Sequence, residues 1–127
     1  MGEIKSFRDL IVYQKAFKLA MDIFNITKSF PKEEKYLLID QIRRPSCSVP
    51  GNIAESWAKK IYQKVFVNKL SDALGEEYET EVRLDFSKEC GYINERLYSD
   101  LLAEYEEVRK MLISMIVSPE KFCAYKS

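Results

Sequence analysis

The chain contains no histidine. This removes the commonest general base, the commonest metal ligand and every Ser–His or Cys–His nucleophile pair, and it argues against a hydrolytic enzyme. Glycine and proline are scarce, with four of each in 127 residues, too few for a sandwich or barrel that turns every few residues. No apolar run approaches the roughly 20 residues that span a bilayer, and "MGEIKSFRDL" lacks the apolar stretch of a signal peptide. That start does place Gly2 and Ser6 in the permissive pattern of N-myristoylation, but no polybasic segment follows as a second anchor. The expectation is a cytoplasmic protein with no membrane partner. The cysteines, Cys47, Cys90 and Cys123, are odd in number and form no C-x-x-C pair, so in a reducing compartment they read as small buried hydrophobes.

What is present suits one helical domain over residues 1–127. The length is enough for a hydrophobic core without disulfide or metal staples, and 46% hydrophobic with 31% charged residues is ordinary for a soluble globular chain. Net charge is zero but unevenly placed: residues 1–69 hold 13 Lys+Arg against 7 Asp+Glu, and 70–127 hold 7 against 13. A basic half can point to nucleic acid. In a helical bundle, opposite halves can equally pair with each other or with a neighbouring subunit, and no segment is dense enough in charge to be a basic arm.

Hydrophobic period predicts four helices, over about 7–29, 32–60, 62–90 and 94–118. In the first, Leu10, Tyr13, Phe17, Ala20, Phe24 and Thr27 step by three and four. In the third, Tyr62, Phe66, Leu70, Leu74, Tyr78, Val82, Phe86 and Cys90 recur every four residues. Such a row drifts around the helix, because four residues advance 400°, so a second set including Val65, Ala73 and Glu77 must share its face. Gly91 is a natural C-cap and Asn94 a natural N-cap. Pro119 stops the last helix, and the tail "EKFCAYKS" is expected to pack loosely.

The stretch "DQIRRPSCSVPGNIAES", residues 40–56, holds two prolines and a glycine within the second helix. Two readings compete. Asn52-x-x-Glu55 can be a capping box that starts a new helix, or one helix can run through Pro45 and Pro50 with a kink at each. Length favours the second, because a third helix of about 43 Å would otherwise be left half uncovered. Pro45, Pro50, Asn52 and Glu55 are then structural kink residues. Ser46, Ser48 and Asn52 are expected to serve the carbonyls that the prolines leave without a donor.

The segments "FRDLIVYQKAFKLA" (7–20), "FPKEEKYLLIDQIRRPSCSVPGNIAES" (30–56) and "FVNKLSDALGEEYETEVRLDFSKECGYI" (66–93) together resemble the S23 or 23S rRNA intervening-sequence proteins. The shared patterns are F-x-x-L-x-V-(W/Y), F-P-x-x-E, Q-I-R-R, N-I-A-E, E-x-x-E-T and G-Y-(I/L), and they cover nearly the whole chain. The sequence departs from them at Pro45, where alanine or serine is usual, and at Ser56, where glycine is favoured. The resemblance implies an all-α, antiparallel up-down four-helix bundle that assembles with itself into a ring, typically a homo-pentamer. A related branch, the accessory proteins of diversity-generating retroelements, is strongly basic, unlike this neutral chain.

Candidate functional residues follow from charge. Arg43 and Arg44, with Lys59 and Lys60, can contact phosphates of RNA or DNA. Alternatively, the arginines pair with acids such as Asp40 or Glu55 or with a neighbouring subunit, and the lysines complement a helix C-terminus. Glu77, Glu81 and Asp85 form a carboxylate row that reads as a solvated face or an intersubunit seam in preference to a Mg²⁺ or Ca²⁺ site. No residue set is catalytic, and no cofactor or metal is expected. The leading reading is a non-catalytic scaffold or adaptor, with a nucleic-acid-binding accessory protein as the alternative.

Overall fold

The computed structural model describes residues 3–123, so Gly2 of the myristoylation pattern lies outside the described residues. Four α-helices make an antiparallel up-down bundle: α1 (Ile11–Thr27), α2 (Asp40–Ala58), α3 (Gln63–Glu89) and α4 (Glu95–Val117). Among the described residues there is no strand, and no helix is long and apolar enough to cross a membrane. α1 packs on α2 and α4, and α3 packs on the same two, so α1 and α3 sit on a diagonal. The longest seam joins α2 to α3.

The first helix starts later than its period suggests. Phe7–Asp9 is a separate 3₁₀ turn closed by a capping box, in which Ser6 Oγ accepts from the Arg8 N–H at 3.0 Å and Asp9 accepts from the Ser6 N–H at 3.1 Å. Leu10 is extended, and α1 begins after it. The second helix is continuous through both prolines. It is preceded by a 3₁₀ turn (Lys32–Glu34) and a π-helical turn (Lys35–Ile39), a widening for which the sequence carried no signal. Pro45 and Pro50 are buried, so their rings serve as core side chains at the cost of two helical hydrogen bonds. After α3, Gly91 takes φ +79° and its N–H bonds the Lys88 carbonyl, while the Tyr92 N–H reaches back to Ser87. This is a left-handed helix stop that a side chain would strain. Asn94 caps α4 by accepting from the Leu97 N–H at 2.8 Å.

The core corrects two rows. In α1 the buried positions are Val12, Ala16, Leu19, Ala20, Ile23 and Thr27, whereas Phe17 and Phe24 are exposed. In α3, Phe66, Leu70, Ala73, Glu77, Thr80, Leu84 and Ser87 face inward. The spacing of four carries Tyr78, Val82 and Phe86 out to solvent, each near half exposed, because 40° of drift per step moves the row off the core within a few turns. Cys47 and Cys90 are exposed rather than buried. The tail is better packed than expected as far as it is described: a 3₁₀ turn (Pro119–Lys121) returns the Phe122 ring to 6.3 Å from that of Phe66. Gly51 and Gly75 are helix-interior residues, each costing about 1 kcal/mol relative to alanine.

Candidate functional site

The two arginines of α2 part company. Arg43 turns to α1: its Nε donates to Thr27 Oγ1 at 2.7 Å and its Nη2 to the Phe24 carbonyl at 3.2 Å. Its guanidinium also lies 4.4 Å from the Phe24 ring centroid. Phe24 and Thr27 belong to the last turn of α1, where carbonyls have no helical donor and the dipole is negative, so Arg43 is a C-terminal cap supplied by a neighbouring helix. It does not pair with Asp40 or Glu55. Arg44 is exposed in a shallow groove between α2 and α3 that also holds Tyr36, Asp40, Glu76 and Glu79, and among the described residues it makes no ion pair.

Lys59 is the C-cap of α2, and Lys60 Nζ sits 3.6 Å from the Trp57 ring centroid. Sixteen residues of helix separate Arg43 from Lys59, about 24 Å along the axis at 1.5 Å per residue. The four basic residues therefore form two separate clusters.

Near the prolines, Ser46 Oγ donates to the Arg43 carbonyl at 3.0 Å and Asn52 Nδ2 to the Ser48 carbonyl at 3.0 Å. The carbonyls freed by the prolines are those of Gln41 and Ser46, so these side chains serve neighbouring carbonyls instead. Glu55 is tied to Lys69 of α3 at 3.0 Å. Ser56 is fully buried and donates to the Ile53 carbonyl at 2.6 Å.

The carboxylate row also divides. Glu77 is fully buried, and neither carboxyl oxygen has a hydrogen-bond partner. Glu81 pairs with Arg109 at 2.6 Å, and Asp85 accepts from the Tyr98 hydroxyl at 2.5 Å. Burial, with the adjacent Glu81 adding to it and Arg109 opposing, pushes the Glu77 carboxyl up to about 9, so it is protonated at neutral pH. The buried Tyr105 hydroxyl is likewise without a partner, and burial, helped by the nearby Glu77, raises its pKa. Among the described residues no group of three His, Cys, Asp or Glu is placed to hold a metal ion. Period placed Glu77 beside the apolar row of α3, but a charged residue type is ordinarily assigned to the surface, so the carboxylate row reads as solvated.

Exposed apolar residues occur on α1, α3 and α4 and in the connecting segments. Between α1 and α2 a groove is lined by Tyr13, Phe17, Met21, Cys47, Pro50 and Gly51. Across the bundle, α3 presents Tyr78, Val82 and Phe86. The net basic half of the sequence contains α1 and α2, and the net acidic half contains most of α3 and all of α4. On the helices themselves the contrast is small, because α1 and α2 together are close to neutral and the excess positive charge lies in the segments outside them.

A family model described as 23S rRNA-intervening sequence protein matches residues 8–114. Among solved structures, the chain is similar to a crystal structure of a protein with unknown function from the S23 ribosomal protein family of Bacteroides thetaiotaomicron VPI-5482. The two are 32% identical with a TM-score of 0.75, covering 84% of this chain and 95% of that one. A comparison with curated proteins finds no match.

Proposed function

Because the chain belongs to the 23S rRNA-intervening sequence protein family, we infer that it is a non-catalytic helical bundle whose work is assembly into a homo-oligomeric ring acting as a scaffold or adaptor. One observation carries this reading: large apolar side chains stand exposed on more than one helix, Phe17 and Met21 on α1 and Tyr78, Val82 and Phe86 on α3, where the chain itself does not cover them. Two different patches that complement each other make a head-to-tail contact, and such contacts generate rings when the rotation closes. The pentamer implied by the sequence resemblance is one such closure.

Binding of RNA or DNA through Arg43, Arg44, Lys59 and Lys60 has less support, since Arg43 is occupied by α1 and the two clusters are separated along α2. Light scattering at micromolar concentration should give a single mass that is a whole multiple of the chain mass and persists in 0.5 M salt, where the Debye length is roughly a third of that at 0.05 M. A monomer would overturn the assembly reading. A monomer that binds nucleic acid with steep salt dependence would replace it with the alternative.

A further inference from the structure

Among the described residues, three buried side-chain polar atoms have no hydrogen-bond partner: both carboxyl oxygens of Glu77 on α3 and the hydroxyl of Tyr105 on α4. Both residues are fully buried, and Glu77 is close enough to act on the Tyr105 hydroxyl. Buried polar groups in folded proteins are almost always hydrogen-bonded. Three partnerless atoms side by side therefore point to a second arrangement in which they are satisfied.

The register of α3 against α4 supplies the missing partner. Lys88 pairs with Glu95 at 3.2 Å and Asp85 accepts from Tyr98, so three residues back along α3 match three forward along α4. Continued, that register sets Tyr105 opposite Tyr78, one residue from Glu77, and Arg109 opposite Leu74. Glu77 then lies about 4.5 Å along the axis from Arg109 and Glu81 about 10.5 Å, at 1.5 Å per residue. Arg109 nevertheless reaches past Glu77 to bond Glu81 at 2.6 Å. The nearer carboxyl is protonated, so only the farther one offers a charge. The Arg109 and Glu81 side chains are 25% and 22% exposed, which puts the pair at the edge of the core, within reach from outside. Other titratable groups around the centre are Tyr78 on α3, Asp22 on α1 and Cys47 on α2. Asp40, Arg44 and Tyr36 share the α2–α3 groove with Glu76, Glu79 and Arg83, and the turn holding Glu120 and Lys121 meets α3 at its Phe66 end. The charges that act on the Glu77 carboxyl are those of Glu81 and Arg109.

We propose that Glu81 and Glu77 are alternative seats for the Arg109 guanidinium, so that removing the Glu81 charge, or capturing it with a cationic group from outside, draws Arg109 inward and expels the Glu77 proton to solvent. The second arrangement satisfies all three partnerless atoms. The guanidinium fork spans both carboxylate oxygens, and the Tyr105 hydroxyl donates to one of them. One O–H bond of Glu77 breaks and one proton leaves, while the guanidinium stays charged throughout. Arg109 also withdraws from the exposed Tyr78 ring, whose centroid it now lies 6.0 Å from. Events at Glu81 on the surface of α3 are thereby linked to the protonation of the core.

A double-mutant cycle tests this, read by carbon NMR titration of the glutamate side-chain carboxyls, with the Glu77 signal assigned by its loss in Glu77→Gln. In the wild type, Arg109→Gln should raise the Glu77 midpoint by less than about one unit, because Glu81 holds the guanidinium. In the Glu81→Gln background the same change should raise it by at least about two units, within the roughly 1–3 units that an adjacent opposite charge supplies. The comparison between backgrounds isolates Arg109 from the lost charge of Glu81 itself. Tyr105→Phe gives an independent reading that keeps the arginine. It should raise the midpoint by at least about half a unit in Glu81→Gln, where the hydroxyl donates to the carboxylate, and leave it in place in the wild type. Circular dichroism checks that each variant is folded. An Arg109→Gln effect no larger in Glu81→Gln than in the wild type overturns the proposal. So does a Tyr105→Phe effect that is the same in both backgrounds.

Discussion

Glu77→Gln is expected to raise the stability of the bundle by an amount that grows with pH. The wild-type carboxyl titrates near 4.5 in the unfolded chain and at about 9 in the fold, where burial comes first among the causes. Below 4.5 both states hold the proton and the group makes stability independent of pH. Between 4.5 and 9 the unfolded chain has lost a proton that the native state keeps. Stability therefore falls with rising pH, by at most about 1.4 kcal/mol per unit. At pH 7 that amounts to about 3 kcal/mol, and above 9, where both states are ionised, the penalty levels off. Arg109 cannot relieve it, because Glu81 already holds the guanidinium at 2.6 Å. Glutamine keeps the shape without the proton equilibrium, so its advantage should be small at pH 4.5 and correspond to roughly 10 °C in melting temperature at pH 7. Melting curves at pH 4.5, 6, 7 and 8 check this. A difference between variant and wild type that stays constant across that range would mean that Glu77 is ionised and partnered in the fold.

The adjacent arginines should behave very differently. Arg43→Ala removes two charge-assisted hydrogen bonds, to Thr27 Oγ1 and the Phe24 carbonyl, and a cation–π contact with the Phe24 ring. It also leaves the buried Thr27 hydroxyl without that donor and the end of α1 uncapped. Charged hydrogen bonds contribute about 1.5–3 kcal/mol each and are not additive, so a loss of about 2–3 kcal/mol is expected. Arg43→Lys should recover only part of it, because an ammonium cannot present the planar fork that reaches both acceptors. Arg44→Ala, on an exposed residue with no ion pair among the described residues, should stay within about 0.5 kcal/mol. Denaturant midpoints of the three variants at one pH decide the matter, and equal losses at both positions would refute the cap.

Both results turn on side chains whose residue type misleads. An arginine pair reads as a phosphate clamp or as a partner of nearby acids and a glutamate reads as surface, yet one arginine is spent on a helix end and the glutamate is in the core. The exposed aromatics mislead in the opposite direction. Phe17 and Phe24 step with the α1 period as core residues do, but they sit on the face turned away from Val12, Leu19 and Ile23. Period detects an apolar stripe without saying whether the chain itself or a second copy covers it.

By itself the sequence determined the helix count, the stop at Gly91, the start at Asn94 and, through the length of α3, the continuity of α2 across Pro45 and Pro50. Each of these depends on backbone chemistry or on a repeat carried by many residues, so no single side chain can reverse it. Tertiary structure alone decided the facing of α1, the outward drift of Tyr78, Val82 and Phe86, the burial of Glu77 and the partner of Arg43. Those depend on the rotation of each helix about its axis, which is set by packing against its two neighbours at once. The 100° step between adjacent residues is large enough that a turn of one position exchanges a core side chain for an exposed one.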